Sequence, residues 1–193
     1  MTGYELPTSL NVGGVDCSIR TDFRAVIDIL MAWNDPEIDD DHCKALVMLQ
    51  ILYVDFEKID PVHWNEAIEK ACEFIDCGQK PDSKKRPRLM DWEQDASLII
   101  PAVNKVAHTE VRALPYLHWW TFMSYFMEIG DSLFSSVVSY RSNRAKNKKI
   151  EPWEREFYKE NKNIIDLVKK DERSEEEKEE LRALFGINKP VRK

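Results

Sequence analysis

Glycine is scarce, with 6 in 193 residues, and that scarcity removes the loops on which several enzyme classes depend. A phosphate loop, a dinucleotide fingerprint and a nucleophile elbow each need clustered glycines, to bring backbone amides close to a ligand or to expose a nucleophile. The chain has none of these patterns. Its four cysteines, Cys17, Cys43, Cys72 and Cys77, fall at irregular spacings, whereas structural zinc asks for closely spaced pairs of ligands. Asp35, Asp39 and Asp41 imitate the start of a calcium loop, yet Asp40 stands where the loop glycine belongs and Leu46 where the last carboxylate belongs. Long apolar runs are missing too: the longest, residues 45–54, is broken by Gln50 and is about half of what a membrane-spanning helix needs. A surplus of positive charge is absent as well. The net charge of −7 argues against a general nucleic-acid binder, which relies on clustered Lys and Arg. Ser135, Ser136 and Ser139 have no adjacent histidine, and neither His108 nor His118 sits in a pattern that specifies a catalytic role. These absences lead us to expect no enzyme, no metal and no cofactor. Unpaired thiols and the lack of an apolar stretch after Met1 point to a reducing cytoplasm.

What is present reads as helices. Leu10-Asn11-Val12 and Val15-Asp16-Cys17-Ser18-Ile19 alternate around Gly13-Gly14, which predicts a two-residue β-hairpin. Thr21 is placed to cap a helix that buries Phe23, Val26, Ile27, Leu30 and Met31 and ends near Asn34, ahead of Pro36. A second helix fits residues 40–53, and a third opens at Asp60-Pro61 and closes at Gly78 as its left-handed C′ residue. Residues 79–88 have loop composition. Asp91 and Gln94 form a capping box for a fourth helix, which Pro101 should kink. A fifth is expected over residues 116–129, a sixth from Leu133 to Ala145 capped by Asp131, a seventh over 152–169, and a last over 174–185. The predicted fold is mainly α: a compact helical domain of about six helices over residues 1–150 with a small N-terminal β-hairpin, and a charged helical C-terminal arm over 151–193.

Two groups of residues stand out as interaction or core candidates. On a fifth helix, Tyr116, Trp119, Trp120 and Met123 form one stripe that Phe122, Tyr125 and Phe126 widen, so the helix is apolar around most of its circumference. That suits a central core helix, and Trp and Tyr also favour binding surfaces. Arg141 heads a basic group with Arg144, Lys146, Lys148 and Lys149, which complements a helix C-terminus at least as well as a nucleic acid. Residues 1–60 hold 12 acids against 4 bases, an acidic lobe able to steer a basic partner.

Several segments together resemble the bacteriophage "gene product fifteen" family. They are Leu6-Pro7-Thr8 before the hairpin, Thr21-Asp22-Phe23-Arg24, Phe74-Ile75-Asp76-Cys77-Gly78, Asp91-Trp92-Glu93-Gln94-Asp95 with Ile99-Ile100, His118-Trp119-Trp120-Thr121-Phe122, and Arg141 after the following helix. The resemblance implies a protein of the phage or prophage tail-gene region, encoded between the major tail protein and the tape-measure protein. It further implies an assembly chaperone in the host cytoplasm whose partners are the tape-measure protein and other tail proteins, with self-association along that client. The alternatives are a structural component retained in the virion tail and, less favoured, a DNA-binding regulator using residues 80–88 and 141–149. The family brings no catalytic residues to this chain.

Overall fold

The computed structural model describes residues 5–38, 40–79, 87–149 and 151–168. The protein is mainly helical, with a two-stranded antiparallel hairpin at its N-terminal end. Strands β1 (Ser9–Val12) and β2 (Val15–Ser18) pair Val12 with Val15 across Gly13-Gly14. Both glycines have positive φ, +58° and +80°, the geometry that matches a tight turn to the twist of its strands. Helices α1 (Phe23–Trp33) and α2 (Asp41–Leu52) pack on each other, α2 packs on α3 (Trp64–Ile75), and α3 covers β1. Helix α4 (Ala96–Ala107) joins α5 (Trp119–Met127) to α6 (Leu133–Ala145), and α7 (Pro152–Ile165) lies on α6.

The main core runs through both halves, from Leu10, Phe23 and Ile29 to Phe74, Ile99, Trp119 and Phe122. A smaller cluster of Val137, Tyr140 and Ile165 seals α7 onto α6, with Tyr140 and Tyr158 stacked at 5.4 Å. Residues 151–168 of the arm are therefore packed on the body. The helix expected over 174–185, like the loop residues 80–86, lies outside the described residues.

The helix ends depart from expectation where side chains compete for them. Asp22, not Thr21, caps α1 by accepting from the Arg24 amide at 3.0 Å, because the Thr21 hydroxyl is bonded to Tyr116 Oη at 2.7 Å. Asp60 caps a short 3-10 turn, Pro61–His63, before α3 begins. At the end of α3 both Cys77, with φ +55°, and the expected Gly78, with φ +73°, are left-handed. The amides of Gly78 and Cys77 return to the carbonyls of Glu73 and Phe74 at 2.8 and 3.0 Å, a Schellman motif whose C′ residue is Cys77. Asp91 accepts from the Gln94 amide at 2.7 Å, but its own amide is bonded by Asp95 at 2.9 Å. The Gln94 side chain instead reaches Asp166 and Val168. Helix α4 continues as one helix across Pro101. Ser132, rather than Asp131, caps α6 in a reciprocal box with Ser135.

The hairpin turn is pinned from outside: the Gly13 amide donates to Glu66 Oε2 at 2.9 Å, and a Cβ on Gly13 would lie 2.6 Å from the His63 ring. Gly14 faces open space. Gly13→Ala should therefore cost about 2–3 kcal/mol, combining a left-handed penalty with a ring clash. Gly14→Ala should cost about 1–2 kcal/mol, the left-handed penalty alone. Urea denaturation checks both, and His63→Ala should recover part of the Gly13→Ala loss.

Candidate functional site

The aromatic segment is built into the protein by hydrogen bonds to three other regions. The Leu117 and Trp119 backbones pair with residues 21–23: the Phe23 amide donates to Leu117 O at 2.9 Å and the Trp119 amide to Thr21 O at 2.7 Å. Asp22 accepts from the Leu117 amide at 3.0 Å. This extended pairing holds residues 116–118 out of the helix, so α5 starts at Trp119 rather than Tyr116. His118 becomes its N-cap, its Nδ1 accepting from the Trp120 amide at 3.0 Å. With Nδ1 an acceptor, the ring hydrogen sits on Nε2 and donates to Pro7 O at 3.0 Å. One buried imidazole thus fastens the N-terminal strand to the start of α5.

The two tryptophans divide a second task. Trp119 Nε1 donates to Ile75 O, and Trp120 Nε1 to Phe74 O, each at 2.9 Å. These carbonyls lie in the last turn of α3, where acceptors lack partners within their own helix. Trp119 is 1% exposed and Phe122 fully buried. Phe122 stacks on Phe23 at 4.5 Å with the rings 5° from parallel, and Trp92 closes the cluster at 5.2 Å from Phe126. Tyr116 lies apart at 53% exposure, anchored through its hydroxyl to Thr21. Trp119 and Phe122 are core, Trp120 is a half-buried clamp on α3, and Tyr116 is the member of the group that faces solvent.

Arg141 is 7% exposed and meets Asp95 through two bonds, 2.7 Å from Nη1 and 2.9 Å from Nη2. It also donates to three carbonyls: Ile165 at 2.6 Å, Leu89 at 2.9 Å and Ile164 at 2.8 Å. All its donor nitrogens are engaged, so it is withdrawn from the basic group at the end of α6. Arg144 is paired with Asp166 at 2.9 Å, and Arg88 with Asp91. Burial would push the Asp91 carboxyl up, but the Gln94 amide, the Arg88 charge and the Glu93 amide together hold it below the usual carboxylate range.

Part of the acidic lobe is engaged in local structure. Asp22, Asp40 and Asp60 are caps, and Asp55 pairs with Lys58 at 3.1 Å. Burial raises the thiols of Cys17, Cys72 and Cys77, the last to about 11 with help from the Asp76 charge. Among the described residues, no group of three or more His, Cys, Asp or Glu is placed to hold a metal ion. No helix of the described residues is long and apolar enough to cross a membrane. Exposed apolar side chains include Met127 at the end of α5, Leu133 and, on α7, Trp153 at 68%. Trp153 and Phe157 flank a cleft against Ser135, Ser136 and Ser139 of α6. Sequence reading missed Asp95, His118 and Trp92 as organising residues. The repeated Asp91 and Asp95 carboxylates before α4 were the available signal.

Three predictions follow from these contacts. Arg141→Met should destabilise the fold by about 3–5 kcal/mol, because it strands a buried carboxylate, and adding Asp95→Leu should restore much of the loss; urea denaturation reads both. Trp120→Phe should cost about 0.5–1.5 kcal/mol through the loss of one hydrogen bond to the Phe74 carbonyl, which keeps the Cys77 amide, and Trp120→Ala about 3–5 kcal/mol. The Arg112 side chain, followed by its amide, holds the Glu110 carboxyl at about 2 against an ordinary 4.5. The folded-state value is the lower one, so the stabilisation is complete above the ordinary value and disappears as pH falls through about 2. Carboxyl-detected NMR titration should show Glu110 still ionised near pH 3.

Comparison with curated proteins and with solved structures yields no match. The model of the bacteriophage Gp15 protein family matches residues 4–167, a span that takes in the hairpin, the aromatic helix, Asp95, Arg141 and α7. A match over that much of the chain settles descent: the chain belongs to the bacteriophage Gp15 protein family.

Proposed function

We propose that this phage protein acts in tail morphogenesis as an assembly chaperone, holding the tape-measure protein soluble while tail-tube subunits assemble around it. Family membership over residues 4–167 is the observation that carries the reading, through the tail-gene setting that the family resemblance implies. The physical features agree with a binding role. The conspicuous aromatic residues are used in the core, and exposed apolar side chains such as Trp153 and Met127 supply surface of the kind that protein interfaces favour. On this reading the protein is not an enzyme, works in the host cytoplasm, has the tape-measure protein and other tail proteins as partners, and self-associates along its client. The DNA-binding alternative loses support from the burial of Arg141 and the pairing of Arg144.

Co-expression with the tape-measure protein of the same phage tests the proposal. The expected result is a several-fold rise in soluble tape-measure protein, with the two co-purifying. Unchanged solubility without co-purification overturns it. Recovery of the protein at fixed stoichiometry from mature particles would instead identify a structural tail component.

A further inference from the structure

We propose that the outer edge of β2 is a docking groove for an extended peptide segment of alternating apolar and basic residues, which joins the hairpin as a third strand. The pairing register decides which way the backbone groups of β2 point. Ile19 N donates to Thr8 O at 3.1 Å, so Thr8 and Ile19 are a hydrogen-bonded pair. The antiparallel alternation then makes Leu10–Cys17 and Val12–Val15 bonded pairs, and turns the backbone groups of Asp16 and Ser18 away from β1. Ser18 bears this out, since its carbonyl accepts from the Val54 amide at 3.0 Å on the opposite side.

A single antiparallel bridge already occupies part of that side. Ile19 bridges Tyr53 in antiparallel fashion, and the Arg20 amide donates to Leu52 O at 2.7 Å. The chain then leaves the sheet at Asp55 for a 3-10 turn, Phe56–Lys58. Beside Asp16 the third-strand position is consequently open, and the space is a groove of about 370 Å³ between β2 and residues 53–63. The N–H and C=O of Asp16 and the N–H of Ser18 face it, groups that an added strand satisfies along its length.

The chemistry of the occupant follows from the lining. Asp16, Asp55 and Asp60 border the groove, with Lys58 and His63 as its basic residues. Lys58 and Asp55 compensate each other at 3.1 Å and His63 Nδ1 lies 3.6 Å from Glu66, so Asp16 and Asp60 leave the groove net negative. An incoming acidic segment meets like charge, and a basic one meets its complement. Asp16 lies on one face of the hairpin, while Val15 and Cys17 lie on the other. Val15 is exposed at the rim, as is Val54. Apolar side chains of an added strand pair on the Val15 and Cys17 face, and Lys or Arg on the Asp16 face. The proposal rests on this geometry and is independent of the tail-assembly reading.

The test titrates the isotope-labelled full chain with two capped hexapeptides, Thr-Lys-Val-Lys-Val-Thr and Thr-Glu-Val-Glu-Val-Thr, followed by amide NMR. The expected result is saturable shifts centred on Asp16, Ser18 and Val54, with slowed exchange of the Asp16 amide. The lysine peptide should bind at least about tenfold more tightly than the glutamate peptide and weaken as salt is raised. Asp16→Asn keeps the backbone and the bond to Asn11, and should lower affinity for the lysine peptide several-fold with the spectrum otherwise unchanged. Equal affinity for the two peptides, shifts centred elsewhere, or no saturation at millimolar peptide overturns the proposal.

Discussion

The buried pair of Arg141 and Asp95 is the interaction on which the C-terminal half depends. Asp95 stands immediately before α4 and also receives the Asp91 amide, while Arg141 projects from the far part of α6. Their two bonds set α4 against α6, and the remaining guanidinium donors close the end of α7 and the carbonyl of Leu89. A charge at this depth is tolerated because each of its donor groups has an acceptor and its charge has a partner. The arrangement explains how the charged helix α7, with little apolar surface of its own, is held to the body.

The same solution recurs at other points where backbone carbonyls run out of partners. Arg20 reaches the carbonyls of Gln50, Ile51 and Tyr53 at the end of α2. Arg24 gathers those of Arg112 and Leu114, while pairing with Asp22. Trp119 and Trp120 serve the end of α3. Helices of 9 to 14 residues leave many ends for the size of the core, and each C-terminal end has four carbonyls to satisfy. Long side chains with several or well-aimed donors meet that demand from a distance. Residues that attract notice as a binding surface are therefore consumed in joining helices.

That economy bears on function within the Gp15 family. With Trp119 and Phe122 buried in the core, the surface that stays open includes the exposed Trp153 side of α7 and the outer edge of the hairpin. The two regions differ in kind. One bears exposed apolar side chains, and the other has outward-facing backbone groups beside carboxylates.

Much of the architecture was legible in the sequence. Apolar spacing at three and four residues located the helices of the described chain, and Gly13-Gly14 between alternating residues located the hairpin, because both signals arise from local backbone geometry that neighbouring residues determine. Helix termini were less legible. Thr21 and the start of α5 each had a plausible local reading that a contact from elsewhere displaced: Tyr116 took the Thr21 hydroxyl, and the pairing of residues 21–23 with 117–119 kept Tyr116 extended. Apolar periodicity determined that the chain is helical, and composition that it is poor in the glycine-rich loops and paired cysteines of several enzyme and metal-site classes. Only the tertiary structure decided what Arg141 and the tryptophans do. Their partners, Asp95 and the last carbonyls of α3, lie more than forty residues away in the chain, and no local pattern encodes which distant acceptor a buried donor will meet.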